Sequence, residues 1–69
     1  MKSIQAREDN IKVGDLVYHR YLYDDERNPR FAIVTESDDG YGDVGVTFQQ
    51  YPDLTYYFEI CNLMIVLEE

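Results

Sequence analysis

His19, Cys61 and the turn Asp38-Asp39-Gly40-Tyr41-Gly42-Asp43 hold the side chains best suited to catalysis or metal binding in this 69-residue sequence. A general base needs an acid or a nucleophile held beside it. His19 has no such partner in any spacing that can be argued, and it reads as a strand histidine satisfied by a neighbour. Cys61 ends an apolar stretch with no cation close in sequence to lower its pKa, so it reads as a buried, inert thiol. The acidic turn lacks the alternating ligands and terminal glutamate of a calcium loop, and glycines with aspartates are ordinary hairpin chemistry. No catalytic residue, metal or cofactor is expected, and the chain is not read as an enzyme.

Tyrosine is the more suggestive residue type. Seven tyrosines and three phenylalanines stand among 69 residues. A domain this small buries only about 60% of the surface that its unfolded chain exposes. One cysteine permits no internal disulfide, and a single histidine beside it cannot complete a zinc site. A dense aromatic core or self-association is left to supplement stability. Not all the tyrosines fit inside so small a domain, so some must face solvent. Tyr18, Tyr41 and Tyr57 are the candidates for a partner-binding aromatic surface. Tyr57 falls on the side of its strand opposite Tyr56, Phe58 and Ile60, and it projects outward if those three are core. The more economical alternative is packing along the domain wall with phenol tips in water.

These side chains need strands to position them. Residues 1–10 are polar and mixed in charge, and read as an N-terminal arm. The domain proper is 11–69. Ile11 to Tyr23 reads as one long strand bent at Gly14-Asp15. Asp24-Asp25-Glu26-Arg27-Asn28-Pro29 is a charged loop, and Arg30 to Ser37 a second strand. Val44 to Gln50 alternates with Val44, Val46 and Phe48 on one side and Gly45, Thr47 and Gln49 on the other. Tyr51-Pro52-Asp53 turns into a fourth strand, Leu54 to Ile60. Cys61-Asn62 suggests a 3₁₀ turn, and Leu63 to Leu67 a fifth strand, with Glu68 and Glu69 ending the chain in solvent. No stretch shows a helical apolar period. Five short strands cannot build an ordinary sandwich, and curling them into a barrel reduces exposed edges. The expectation is an all-β fold: a five-stranded, strongly bent antiparallel barrel.

The order of features resembles the SH3-like barrel superfamily, with its Tudor-like and KOW-like branches. The resemblance rests on Val13-Gly14-Asp15-Leu16-Val17, Ala32-Ile33-Val34, Val44-Gly45-Val46-Thr47-Phe48 and Asn62-Leu63, and covers residues 11–67. It extends to short SH3-like proteins of tailed phages, marine ones especially. The resemblance implies an SH3-like barrel and a phage origin, and one barrel hosts many functions. With no catalytic motif in the chain, the function expected is a non-catalytic protein-interaction module, with self-association as one of its forms. Its partner would be a protein or peptide held on aromatic side chains, as in SH3 grooves for extended ligands or Tudor cages for methylated cations.

The formal net charge is −8, from 6 basic and 14 acidic residues. Such a field repels phosphate backbones and anionic membranes. A KOW-type nucleic-acid reader would carry basic loops where this chain carries Asp24-Asp25-Glu26 and Asp38-Asp39. Arg20, Arg27 and Arg30 are the one cluster that could serve a nucleic-acid-binding module, and they flank three acids. The plain reading of such a net charge is solubility, since it keeps small domains apart. The alternative function is an acidic inhibitor or nucleic-acid mimic binding a basic host protein. The first residues lack the apolar core of a secretory signal. A lone cysteine suits a reducing compartment, so the expected location is cytoplasmic.

Overall fold

The chain enters its first long strand through a turn built on Gly14, whose φ of 99° few other residues adopt. The Lys12 amide donates to the Asp15 carboxylate at 2.9 Å. The turn is pinned to its neighbour by Gly14 N to Val34 O at 2.8 Å and Val34 N to Asp15 O at 3.0 Å. Regular strand therefore begins at Leu16, and Ile11 to Asp15 is an anchored turn, not the first arm of a bent strand.

The computed structural model describes residues 2–37 and 39–67. Asp38 of the acidic turn and the terminal Glu68 and Glu69 lie outside the described residues. The strands are β1 (Lys2–Gln5), β2 (Leu16–Tyr23), β3 (Pro29–Glu36), β4 (Asp43–Phe48), β5 (Tyr56–Glu59) and β6 (Leu63–Leu67), with a 3₁₀ turn at Ile60–Asn62 before the last. They form one antiparallel sheet in the order β1-β6-β2-β3-β4-β5. No described helix is long and apolar enough to cross a membrane.

The fold is all-β as expected, with two corrections. There are six strands, not five, and among the described residues no pairing joins the two outer strands, so the sheet is not closed. The segment read as a polar arm supplies the sixth strand. β6 is apolar along its whole length, Leu63-Met64-Ile65-Val66-Leu67, and needs a neighbour on both sides. β1 provides one, with Lys2 opposite Leu67 and Gln5 opposite Met64. Ala6 continues the ladder, donating its amide to Leu63 O at 3.0 Å. Ala6 is itself part of the core. Polarity hid this strand because it sits at an edge and faces water along much of its length.

The inner face is built by period-two alternation. Val17, Ala32 and Phe48 lie in register across β2, β3 and β4, as do Val34 and Val46. Val44, Leu63, Ile65 and Ile60 complete the buried set. The core is aliphatic. Phe48, 8% exposed, is its single aromatic member among the described residues. A dense aromatic core is thus replaced by valines that fit a narrow interior, and every tyrosine is half-buried or exposed. Pairing of β3 with β4 passes from Val34↔Val46 to Glu36↔Gly45, leaving Thr35 as the extra residue of a bulge.

Candidate functional site

β5 follows the alternation expected of it. Tyr56 and Phe58 face inward, parallel to within 6° with centroids 6.3 Å apart. Phe48 of β4 meets both edge-on, at 5.4 Å from Tyr56 and 6.2 Å from Phe58. His19 of β2 closes on Phe58 at 4.9 Å. The rings therefore hold one another in fixed orientations.

They are not covered. Among the described residues β5 is hydrogen-bonded to β4 alone, so its other edge is open. β6 leaves β2 at the pair His19↔Leu63, so Arg20 to Tyr23 of β2 run beyond it. Between these two edges lies a seam, a groove of about 460 Å³ whose walls include Tyr56 and Phe58 on one side and Leu22 and Tyr23 on the other. Phe48, Tyr51, Gln50 and Arg30 complete its lining. Tyr51 is 50% exposed and Tyr56 37%. The groove has the size and aromatic character of a ligand cleft. It offers ring faces, phenol hydroxyls, one amide and one guanidinium.

The loop at one end is braced internally. Asp24 Oδ1 accepts the amides of Glu26 and Asn28, each at 2.9 Å, and Arg27 takes a φ of 65° to complete the turn. A second, more polar depression lies elsewhere, lined in part by Arg7, Tyr41, Asp43, Glu59 and Cys61. Among the described residues no group of three or more His, Cys, Asp or Glu side chains is placed to hold a metal ion.

The three tyrosines singled out from sequence occupy three separate places. Tyr18 lies on the outer face of β2, half-buried, its hydroxyl 2.9 Å from Ser3 Oγ and its ring edge-on to Phe31 at 6.0 Å. Tyr41, 89% exposed, stands in the β3–β4 connection. Tyr57 does project outward as expected, 59% exposed, on a strand separated from β2 by β3 and β4. Its phenol donates to the Glu36 carboxylate, which holds its pKa above the usual 10.0, with smaller contributions from desolvation and the charge itself. None of the three lines the seam.

Tyr56 and Phe58 entered the sequence argument only as the face whose burial in the core would turn Tyr57 outward. They face inward, but at an open edge the inward face is a groove wall. Period-two spacing reports which face a side chain takes, not whether another strand covers that face.

Cys61 differs from expectation as well. It is exposed, with its thiol 3.5 Å from a Glu59 carboxylate oxygen. The 3₁₀ turn sends Ile60 inward and leaves Cys61 outside. His19 is satisfied by its own strand, its Nδ1 accepting the Tyr21 amide at 3.1 Å. Burial, and then the adjacent Arg20 charge, lower its pKa below 6.5.

No known family matches this chain, and neither does any curated protein or solved structure.

Proposed function

We propose that this chain is a non-catalytic protein-interaction module of SH3-like architecture, and that the seam between β2 and β5 is its peptide-binding surface. Two features support the architecture. Without β1, the strand order reads β6-β2-β3-β4-β5, a four-strand meander from β2 to β5 followed by a fifth strand, β6, that returns beside β2. The 3₁₀ turn stands immediately before that last strand and leads into it through Asn62-Leu63, one of the pieces on which the resemblance rests. In this reading β1 is an addition to a five-stranded, partly opened barrel.

The observation that supports the binding role is the set of aromatic rings locked by mutual contacts around an uncovered groove. Aromatic side chains that are already ordered lose little entropy when a ligand covers them, and they dominate peptide interfaces for that reason. The mimic alternative calls for carboxylates spread over one face. Here Asp24, Asp25 and Glu26 belong to the β2–β3 turn, whereas Asp43 and Glu59 pair with one another where β4 begins and β5 ends. That division favours the peptide-binding reading.

Selection from a random library of displayed peptides tests it. Peptides recovered on the wild-type chain are expected to lose about tenfold or more in affinity against Tyr51→Ala or Tyr56→Ala, the cost of truncating a central aromatic contact. Tyr18→Phe should leave their binding unchanged. Recovery of no peptides, or of peptides indifferent to both groove substitutions, would sink the proposal.

A further inference from the structure

We infer that the seam is a strand-addition site, in which the open edge of β5 takes an extended peptide of alternating apolar and basic residues as a new strand. The inference deepens the peptide-binding reading above and rests on it.

The backbone of β5 supplies the first reason. Ile60 N donates to Gly42 O at 2.8 Å, which makes Ile60 and Gly42 a hydrogen-bonded pair in the register that also sets Glu59 opposite Asp43 and Phe58 opposite Val44. Such pairs alternate along an antiparallel ladder. The main-chain groups of Tyr56 and Phe58 are therefore spent on β4. The N–H and C=O of Tyr57 and the N–H of Glu59 point the other way, to the free edge, while the Glu59 carbonyl caps the 3₁₀ turn.

The opposite edge of the sheet is treated differently. On β1 the Gln5 carbonyl is taken by the Asn10 side-chain amide at 3.2 Å, and Lys2 stands at the strand's start. Such devices discourage strand pairing. β5 has neither a proline nor a lysine along it.

Register then dictates the ligand. In a strand laid beside β5, residues opposite Tyr56 and Phe58 share the inner face and enter the aromatic groove. Residues opposite Tyr57 and Glu59 share the outer face, where Glu36 and Glu59 present carboxylates. Apolar side chains fit the first set and lysine or arginine the second. A second copy of this chain is a poor occupant. Edge-to-edge pairing would bring the two Glu59 side chains close together between molecules that each carry a net charge of −8.

The probe is a capped octapeptide of alternating lysine and valine, compared with the same peptide carrying glutamate for lysine. Amide exchange is read by NMR on the uniformly labelled full chain. At peptide concentrations up to about 1 mM, the lysine peptide should slow exchange at the Tyr57 and Glu59 amides by about tenfold or more. The glutamate peptide should not, and N-methylation of alternate amides along one edge of the lysine peptide should abolish the effect. In Glu59→Lys the preference should shift toward the glutamate peptide.

Groove rings that respond while both amides keep their free exchange rates would overturn strand addition and leave the peptide-binding reading standing. Equal protection by the two peptides, or none by either, would overturn the ligand assignment. Protection that grows with protein concentration alone would give the edge to a second copy. Loss of all peptide binding in the library selection is the distinct result that removes the reading beneath.

Discussion

At the scale of single residues, His19 shows how a histidine without a catalytic partner still responds to pH. Its Nδ1 is an acceptor for the Tyr21 amide, and its ring is packed between Tyr21 and Phe58. Protonation would turn that acceptor into a donor and set a charge beside Arg20, in keeping with a pKa below 6.5. The folded pKa is thus lower than the unfolded one. The stabilisation is complete above the unfolded value, and it is lost as pH falls from there through the folded value. The expected outcome is a stability that declines on acidification from pH 7 toward the folded pKa, with the decline reduced in His19→Gln. Urea midpoints across that range measure it, and NMR titration of the imidazole gives the pKa independently. An imidazole titrating at or above 6.5 would contradict the packing described for it.

At the scale of elements, the β3 bulge, Gly45 and β5 act as one unit. The bulge at Thr35 brings Glu36 opposite Gly45, and the Glu36 carboxylate passes over the glycine to reach the Tyr57 phenol. A Cβ on Gly45 would stand 3.0 Å from Glu36 Cβ and 3.0 Å from Thr55 Cγ2. Gly45→Ala should therefore destabilise by about 1–3 kcal/mol, as overpacking does, even though alanine is ordinarily preferred to glycine within a strand. Urea denaturation checks the stability. A spectrophotometric tyrosine titration checks the cause, because a displaced Glu36 would let the Tyr57 pKa fall back toward 10.0. An unchanged midpoint would mean that Glu36 yields without cost. Strong alternation or an apolar run marks β3, β4 and β6 in the sequence, and Cys61-Asn62, which interrupts two apolar stretches, marks the 3₁₀ turn. Sequence reading missed β1 because that strand's stability lies in the edge it covers and not in its own hydrophobicity. It separated Tyr57 from Tyr56 and Phe58 correctly by face, yet the site escaped it. Whether a face is covered depends on pairing between strands distant in sequence, here β5 and the far end of β2.

At the scale of the whole molecule, charge works against both compactness and anonymity of partner. The net charge of −8 is confined within a radius of gyration of 11.2 Å. The unfolded chain would spread the same charge over a radius of about 25 Å. The Debye length is about 30 Å at 0.01 M salt and about 10 Å at 0.1 M. At the lower salt every carboxylate in the folded chain feels every other, and at the higher salt mainly its neighbours. Folding therefore costs more electrostatic energy in dilute buffer, and added salt should stabilise. Raising sodium chloride from about 0.01 M to about 0.3 M is expected to add on the order of 1 kcal/mol to a total near 3–10 kcal/mol for a chain of this size. A urea midpoint that stays level or falls would mean that local attractions outweigh the net repulsion. The same screening acts oppositely on the proposed ligand, since a lysine-bearing strand is drawn to Glu36 and Glu59 by the field that salt removes. Stability should rise and binding of the lysine–valine peptide should fall over one salt series. If instead affinity held constant while stability rose, the groove's rings and the edge's amides would supply the binding without help from charge.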